Sequence, residues 1–294
     1  MNDTSVTDDK VTEPVHRSGF VTLVGRPNVG KSTLVNRLLN HKVTIVSDKP
    51  QTTRTEVRGV LTRPGVQAVI CDTPGIHKPR TLLGKRLNDT ARAALADMDV
   101  VLFLVEADGL IGRGDAFIAQ SLPKERTVLV VNKVDQVGRD RIAEQLVVAS
   151  GFECDEYFPI SAQTGDGVEA LREHILNRLP EGPQYYPEHM VTDVPEAFWV
   201  AELVREQLLA IVNDELPHSI ATRVTEWEWP RIRCEILVER DSQKGIVIGH
   251  KGSVLKQVGS AARSQLPEGV FLELVVRVDK GWQRQPKSLN RLGY

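Results

Sequence analysis

The sequence predicts an α/β fold with a mostly parallel, doubly wound sheet, followed by a smaller α+β domain. From residue 20 to about residue 180, apolar and β-branched runs alternate with amphipathic stretches; the runs are FVTLVG, VQAVICD, VVLFLVEA, RTVLVVNK and YFPIS. Strands of a parallel sheet that helices cover on both faces have this nearly continuous apolar character. Beyond a proline-rich break, the pattern becomes helix, strand, strand, helix, glycine loop, helix and strand.

Length and composition are those of a globular protein with about two domains. The chain has 294 residues, of which 41% are hydrophobic and 26% charged, and its net charge of −2 gives no bulk sign of nucleic-acid binding. The three cysteines, Cys71, Cys154 and Cys234, lie far apart and form no CxxC pair. We therefore expect buried thiols in a reducing cytosol, and neither a disulfide framework nor a zinc site.

Four segments are expected along the chain. Residues 1–17 have no apolar core, which excludes a secretory signal, and are predicted to be a disordered polar tail. Residues 18–180 are predicted to be the first domain, 181–195 a proline-rich linker, and 196–294 the second domain with its basic C-terminal tail. The run VVLFLV is too short to span a bilayer, which leaves a peripheral membrane contact open.

A phosphate-binding loop is predicted at GRPNVGKS, residues 25–32, because it has the spacing GxxxxGK[ST] between an apolar strand and a helix. Gly25 and Gly30 allow the backbone N–H groups to surround the phosphates. Lys31 is predicted to reach the β- and γ-phosphates, and the Ser32 hydroxyl to ligate Mg²⁺. The other predicted contacts of this loop are Arg26, Pro27, Asn28, Val29 and Thr33.

Two further motifs, each after a strand, indicate that the nucleotide is GTP. In DTPG, Asp72 is predicted to hold Mg²⁺ through water and Gly75 to offer its N–H to the γ-phosphate. The same loop adds Thr73, Pro74 and Ile76 to the predicted nucleotide contacts. In NKVD, the Asp135 carboxylate can accept two hydrogen bonds from guanine, a donor pair that adenine lacks.

The rest of the guanine pocket is predicted from NKVD and from SAQTG, which follows a further strand. Asn132 is expected to contact the base edge, the Lys133 stem to pack on the ring, and the Ala162 N–H beside Ser161 to donate to guanine O6. Because ligands bind at the carboxyl ends of strands in open α/β sheets, the four motifs in order predict one shared site.

The segment SDKPQTTRTE, residues 47–56, has no apolar periodicity and is predicted to be a switch. Thr53 is expected to complete the Mg²⁺ shell and close over the γ-phosphate, with Thr52 as the alternative residue and an ordinary polar loop as the alternative structure. Residues with a predicted part in hydrolysis are Lys31, Thr53, Gly75 and Asn28.

A second glycine loop lies in GIVIGHKGSVLK, residues 245–256, which has neither GK[ST] nor GxGxxG. It matches the GXXG loop of a KH domain, which clamps about four nucleotides of single-stranded RNA. Residues 240–291 hold ten Lys/Arg and four acids, whereas 188–239 hold four Lys/Arg and eleven acids. The alternative is a tight turn with a solvated basic face.

The predicted RNA-binding residues are those of the loop and the nearby basic side chains. They are Gly249, His250, Lys251, Gly252, Lys244, Lys256, Arg263 and Lys280. Three tryptophans, Trp199, Trp227 and Trp229, are expected in the core, and Trp282 is left open between a core role and a base-stacking role.

Together these motifs resemble the Era family of bacterial GTPases. The resemblance rests on GRPNVGKSTLVNRLL, QTTR, DTPGIHKP, NKVD, ELPHS, VIGHKG and the ending KGW…LGY, and it runs from about residue 18 to the C-terminus. It implies a P-loop GTPase domain followed by a type II KH domain, with GTP or GDP and Mg²⁺ as ligands. It further implies a monomeric assembly factor of the 30S ribosomal subunit that holds the single-stranded 3′ end of 16S rRNA, with peripheral membrane association.

The resemblance also bears on hydrolysis. Ile76 stands where other GTPases carry the glutamine that orients the attacking water, and a hydrophobic residue there is the Era-like pattern. Relatives with an asparagine at the position of Asn28 can bind K⁺, which would place charge where an arginine finger does. We expect slow, K⁺-stimulated hydrolysis that RNA or the ribosome raises. The alternative for Asn28 is a loop residue that only hydrogen-bonds the switch segment.

The mechanism expected from these features is a timer, in which GTP hydrolysis sets how long the RNA stays bound. GTP and Mg²⁺ would order the switches, the linker would set the orientation of the KH domain, and hydrolysis would release the RNA. Two other classes stay open: an RNA chaperone that GTP only stabilises, and a membrane-associated cell-cycle signalling GTPase.

Overall fold

The computed structural model describes residues 16–75, 81–212 and 216–294. The first domain is built on a six-stranded sheet with the order β2-β3-β1-β4-β5-β6, in which only β2 runs antiparallel to its neighbour. The strands are β1 (Arg17–Gly25), β2 (Val57–Arg63), β3 (Val66–Asp72), β4 (Val100–Glu106), β5 (Thr127–Asn132) and β6 (Glu156–Pro159). The mostly parallel sheet of the predicted fold class is confirmed.

Helices cover both faces of this sheet, which explains why its strands are apolar on both sides. The helices are α1 (Lys31–Leu39), α2 (Leu82–Ala96), α3 (Arg113–Ala119), α4 (Arg139–Ser150) and α5 (Val168–Arg178). One apolar cluster packs α1 and α5 on one face, and a second packs α2, α3 and α4 on the other. Every residue of β3 and of β5 is buried. The sheet is therefore doubly wound, as predicted.

The antiparallel edge strand β2 was not predicted from the sequence. Its sequence VRGVLTR carries two arginines and a glycine, which weakens the apolar strand signal. A Cβ atom on Gly59 would lie 2.1 Å from Leu39 Cδ1, so the glycine is where α1 approaches the strand. The strand follows the predicted switch directly and anchors its C-terminal end to the sheet.

The second domain is a three-stranded sheet with helices packed against it. Its elements are α6 (Glu196–Ile211), α7 (Leu216–Ser219), β7 (Ala221–Glu228), β8 (Arg231–Val238), α8 (Asp241–Ile248), α9 (Ser253–Arg263), β9 (Phe271–Val278) and α10 (Pro286–Arg291). β7 and β8 pair antiparallel, whereas β8 and β9 pair in parallel. A separate apolar core joins α6, α8 and α9 to this sheet. The α-β-β-α-α-β order predicted for a type II KH domain is confirmed.

The segment predicted as a linker, 181–195, is fastened to the first sheet. The Gly182 N–H donates to the His16 carbonyl at 3.0 Å, and the Val60 N–H donates to the Val191 carbonyl at 2.7 Å. The Gln67 Oε1 accepts backbone N–H groups from residues 185 and 186 at 2.9 Å each. Arg17 already opens β1, so the predicted tail is too long at its C-terminal end, and residues 1–15 lie outside the described residues.

The tryptophans correct one expectation. Trp227 and Trp229 are 39% and 60% exposed, and they lie where β7 ends and the turn to β8 begins. Trp199 is partly buried. Trp282 is fully buried and donates its indole N–H to the Ser219 carbonyl at 3.0 Å, which decides its role as core.

The cysteines are free, as expected. Cys71 and Cys234 are buried and Cys154 is partly buried. Burial raises the pKa of Cys71 and of Cys234 to about 12, and that of Cys154 to about 11. All three thiols are therefore protonated and unreactive near neutral pH. No helix in the described part of the chain has the length and apolar character needed to cross a bilayer.

Candidate functional site

The predicted phosphate loop connects β1 to α1. Gly30 caps α1 with φ 95°, and a Cβ atom there would lie 2.2 Å from the Asn132 side-chain nitrogen. Only glycine fits, because the backbone is left-handed and the space is already filled. The loop therefore presents the N-terminal N–H groups of α1 to a ligand, with the helix dipole behind them. A cavity of about 430 Å³ lies between this loop and the switch segment.

Lys31 lies at the floor of this cavity. Its ammonium group donates to the carbonyls of Gly25 and Arg26 at 3.1 and 2.9 Å, and the residue is 8% exposed. Burial lowers the pKa of Lys31 to about 8, and the negative charge of Asp72 opposes that shift. The lysine is thus pre-positioned for a polyphosphate, whose negative charge would favour the protonated ammonium group.

This shifted pKa gives a pH dependence of nucleotide binding. The triphosphate favours the protonated lysine, so the pKa of Lys31 rises on binding and a proton is taken up above pH 8. We expect the GTP dissociation constant to be flat below about pH 7.5 and to increase by up to about tenfold per pH unit above pH 8. Titration of a fluorescent GTP analogue between pH 6.5 and pH 9.5 measures this. A flat profile to pH 9.5 would show that Lys31 does not face the phosphates.

The predicted metal ligands converge at the end of β3. The Ser32 hydroxyl donates to Asp72 Oδ2 at 2.8 Å, and the Thr53 hydroxyl lies 3.1 Å from Ser32 Oγ and 3.2 Å from Asp72 Oδ2. The Thr52 hydroxyl instead donates to the Lys49 carbonyl at 2.7 Å. Between the two candidate threonines, the geometry favours Thr53.

Sequence reasoning missed a third hydroxyl in this cluster. Thr44 is 3% exposed and donates to Asp72 Oδ2 at 2.8 Å. Burial raises the pKa of Asp72, and the hydrogen bonds from Ser32, Thr44 and Thr53, with the charge of Lys31, oppose this rise. Thr44 lies eight residues before Thr52 and nine before Thr53, in a stretch without a motif, so the sequence carries no local signal for it.

The residues present fit Mg²⁺. Asp72 Oδ1 is buried and has no hydrogen-bond partner among the described residues, so one carboxylate oxygen is available to a water of the metal shell. Hydroxyl and carboxylate oxygens are the ligands that this hard cation prefers, completed by phosphate oxygens and water. Within the described ranges no group of three His, Cys, Asp or Glu side chains forms an all-protein metal cage. The site thus suits a cation that arrives with its nucleotide.

On the base side, Asn132 ties the predicted motifs together. Its Nδ2 donates to the Val29 carbonyl at 2.8 Å, and its Oδ1 accepts the Ala162 N–H at 2.9 Å. The side chain is thus used to brace two loops, and its predicted contact with the base edge would need a further hydrogen bond. The Ala162 N–H is likewise engaged, so its predicted donation to guanine O6 needs a three-centred bond and stays a prediction.

The neighbouring residues of NKVD lie at the mouth of the pocket. The Lys133 ammonium group forms an ion pair with Glu106, which fixes the stem that is predicted to cover the base. Lys133 has φ 69°, and the turn Val134–Gln136 that follows leaves the Asp135 side chain exposed. The Ser161 hydroxyl accepts the Thr164 N–H at 3.0 Å, so it stabilises the conformation of the SAQTG loop.

Two residues of the phosphate loop have partners outside that loop. The Arg26 guanidinium pairs with the fully buried Asp115 at 3.0 Å. The Asn28 Nδ2 donates to the Asp48 carbonyl in the switch segment at 2.6 Å. The second contact is the one that the alternative role for Asn28 predicts, but it leaves Oδ1, the atom that would ligate K⁺, out of that bond. Ile76 lies outside the described residues.

The GXXG loop joins α8 to α9, as predicted, and His250 and Lys251 are exposed at its tip. Gly249 has φ 73°, and a Cβ atom there would lie 2.8 Å from the Val254 nitrogen, so this position requires glycine. Lys256 is exposed near the start of α9. The loop therefore offers backbone and two cationic or polar side chains to a passing phosphate chain.

The remaining predicted RNA contacts divide into two groups. Lys244 lies on α8, and Lys280 follows β9 at the edge where α8 begins, because Val278 pairs with Val238. Arg263 ends α9, ten residues from its start and therefore ~15 Å from the loop. The structure does not place Arg263 beside the GXXG loop, and its predicted RNA contact stays a prediction.

Sequence reasoning missed an exposed apolar side chain near the GXXG loop. Ile246 lies on α8 three residues before Gly249 and is 59% exposed. Its neighbour Val247 is fully buried, so the helix turns Ile246 outward. An exposed isoleucine beside a phosphate-binding loop can pack against an unstacked base. The signal in the sequence was present, since IVI is an apolar triplet of which a surface helix buries only part.

Comparisons with known proteins identify the family. The model of the 50S ribosome-binding GTPase family matches residues 20–133, and the KH domain model matches residues 215–283. GTPase Era of Nocardioides sp. (strain ATCC BAA-499 / JS614) is 47% identical over 305 residues, which cover 96% of this chain and 97% of that protein. This chain belongs to the GTPase Era family. GTPase Era of Mycobacterium avium (strain 104) is 48% identical, over 95% of this chain and 99% of that protein.

Solved structures of Era agree with this membership. Era in complex with MgGDPNP and nucleotides 1506–1542 of 16S ribosomal RNA superimposes with a TM-score of 0.91, at 37% identity, over 95% of this chain and 99% of that chain. Aquifex aeolicus Era, as a variant bound to GDP·AlF₄⁻, superimposes with a TM-score of 0.90 at the same identity and coverage. The GTPase activity and the resemblance predicted from the sequence are confirmed.

Proposed function

We propose that this protein is a GTP-controlled switch that binds the 3′ end of 16S rRNA and acts in assembly of the 30S subunit and maturation of 16S rRNA. The observation that carries the proposal is the pairing of a complete phosphate loop with a GXXG loop, in a fold that superimposes along 95% of its length on an Era bound to MgGDPNP and that RNA. The domain limits that suit these roles are 18–180 and 196–294.

In this proposal the first domain holds GTP and Mg²⁺. Lys31 offsets the charge of the β- and γ-phosphates, and Gly75 offers its N–H to the γ-phosphate. Ser32 and Thr53 ligate Mg²⁺, and Asp72 holds it through water, which the 2.8–3.2 Å contacts among their oxygens support. The bound cation neutralises charge that develops on the phosphates. Asp135 selects guanine.

The second domain binds the RNA. Gly249 and Gly252 allow the RNA backbone to approach, while Lys251, Lys256, Lys244 and Lys280 supply positive charge around the loop. Since GXXG loops hold about four nucleotides of single strand, an unpaired rRNA 3′ end is a suitable ligand. Ile246 would contact one of its bases.

A K⁺ ion is proposed as a further cofactor, held in part by Asn28 Oδ1. Because Ile76 offers no hydrogen bond to the attacking water, another source of catalytic charge is needed. We expect turnover in KCl to exceed turnover in NaCl by about tenfold, and Asn28→Ala to remove the difference. Phosphate release at matched ionic strength measures both. Equal turnover in the two salts would leave Asn28 with its switch-segment contact alone.

The location proposed is the cytoplasm, as a monomer, with peripheral association at the inner face of the cell membrane. The competing classes are an RNA chaperone that GTP only stabilises and a membrane-associated cell-cycle GTPase. Co-sedimentation with purified 30S subunits and with anionic vesicles separates them. The assembly role predicts recovery with 30S subunits in the presence of a GTP analogue. Recovery with vesicles alone would favour the signalling class.

A further inference from the structure

The second domain contacts the switch segment of the first domain at the residues on both sides of Thr53. Arg205 on α6 is fully buried and donates from Nη2 to the Thr52 carbonyl. Its Nε donates to Glu202 Oε1 at 2.8 Å, one helical turn earlier. Glu202 therefore holds the guanidinium in the one orientation that reaches the switch.

On the other side of Thr53, the Arg54 side chain enters the second domain. It is 4% exposed, and its guanidinium donates to the Ile220 carbonyl at 2.6 Å and to the Pro217 carbonyl at 3.1 Å. The guanidinium carbon lies 5.7 Å from the centre of the Trp282 ring and 5.8 Å from that of Tyr294. Two aromatic rings and two carbonyls stabilise this buried cation, which has no carboxylate among these contacts.

The residue directly before the switch segment, Val46, is also bound to the second domain. Glu206, on the same helix as Arg205, accepts the Val46 N–H at 3.0 Å and the Lys42 ammonium at 2.5 Å. The segment from Val46 to Arg54 is thus attached to the second domain at both ends.

We propose that Arg205 and Arg54 are positioning residues for GTP hydrolysis. Through them the second domain holds Thr53 beside Ser32 and Asp72, at the proposed Mg²⁺ site. Thr53 is bonded covalently to both attached residues, and consecutive Cα atoms are fixed about 3.8 Å apart, so its hydroxyl cannot move far while both contacts persist. That hydroxyl lies 3.1 Å from Ser32 and 3.2 Å from Asp72. The inference rests on the proposed role of Thr53 as a Mg²⁺ ligand.

The same contacts connect the proposed RNA-binding site to the nucleotide site. Lys280, a proposed RNA contact, lies two residues before Trp282, whose ring covers Arg54. Arg54 is the neighbour of Thr53. RNA bound beside Lys280 would therefore stabilise the aromatic cover of Arg54 and, through it, the closed switch. The linker was expected to carry this coupling, but its described hydrogen bonds fasten it to β1, β2 and β3 of the first domain.

The test uses the full chain with Arg205→Met, and Arg223→Met as the matched control. Arg223 donates to the buried Glu235 carboxylate at 2.9 and 2.6 Å, inside the second domain and away from the switch segment, and Glu235 keeps Arg277 as a partner in the variant. Both variants exchange a guanidinium for an apolar chain of similar length. The double variant Glu202→Gln/Arg205→Met removes the carboxylate that the single variant leaves unpaired, in case that variant folds poorly.

We expect Arg205→Met and the double variant to lower kcat for GTP about tenfold, which is the loss of one charge-assisted hydrogen bond in the closed state. Affinity for GDP should stay within about twofold of wild type, because a GDP site does not need the closed switch. Arg223→Met should leave both quantities near wild type. A merely structural role would lower GDP affinity and kcat together.

Thr53→Ala serves as the reference that separates this inference from the proposed function. If Thr53→Ala loses hydrolysis while both Arg205 variants keep the kcat of Arg223→Met, positioning from the second domain is overturned and the role of Thr53 stands. If Thr53→Ala itself hydrolyses GTP at the wild-type rate, the metal role fails and the inference fails with it.

Discussion

Asp135→Asn is expected to lower the affinity for GTP about a thousandfold and to raise the affinity for xanthosine triphosphate. The Asp135 carboxylate is predicted to accept two hydrogen bonds from guanine, and asparagine offers a donor where guanine also has one. A site built to hydrogen-bond one base rejects another strongly, because a polar group that the bound base covers would be left unpaired. Displacement of a fluorescent GDP by unlabelled GTP or xanthosine triphosphate measures the affinity of the variant for each nucleotide.

The neighbouring Gln136 provides the control, since it is exposed in the same turn. Gln136→Glu changes the charge of that turn by one unit and should leave the GTP affinity within about threefold. GTP affinity that survives Asp135→Asn would show that the carboxylate does not face the base. The base specificity would then have to come from the loop that contains Ala162.

Gly252→Asp is expected to weaken binding of single-stranded RNA ten- to hundredfold and to leave GTP hydrolysis without RNA unchanged. Gly252 has φ 79° and open space around its Cα, so an aspartate fits there without a clash. Its carboxylate would lie where an RNA phosphate must approach, and it would replace a favourable charge-assisted contact with repulsion. Fluorescence anisotropy of a labelled RNA at fixed salt gives the change in affinity.

Gly269→Asp is a closely matched control for this substitution. Gly269 also has a positive φ, 87°, and also has open space around it, but it lies in the turn before β9 and not in the GXXG loop. Both variants bear the same kind of backbone strain and the same added charge. Equal loss of RNA affinity in the two variants would mean that the GXXG loop is not the contact surface.

The parts of the site that were predictable are those that local sequence encodes. Gly30 and Lys31 lie within one loop, and their spacing follows from how a backbone turns around a phosphate. Thr53 was preferred to Thr52 with no motif to separate them; of the two hydroxyls, the structure places that of Thr53 near Ser32 and Asp72.

What the sequence did not yield depends on contacts between distant residues. Arg205 meets Thr52 across 153 positions and Arg54 meets Ile220 across 166, so no motif links either pair. The alternation of TEWEW predicted a strand with an inner face, but it could not tell that Trp227 and Trp229, at the end of that strand, would stay exposed. The same reason hid the attachment of the proline-rich segment, whose partners lie on strands more than a hundred residues earlier.

The measurement that tests the central claim most directly is binding of a labelled RNA with the 3′-terminal sequence of 16S rRNA in the two nucleotide states. The full chain would be titrated with Mg²⁺ and either GDP or a non-hydrolysable GTP analogue, with a scrambled RNA of equal length as the control. The account predicts tighter binding in the GTP form and selectivity for the true sequence. Equal affinity in the two nucleotide states, or equal affinity for the scrambled RNA, would contradict a GTP-controlled switch on this rRNA.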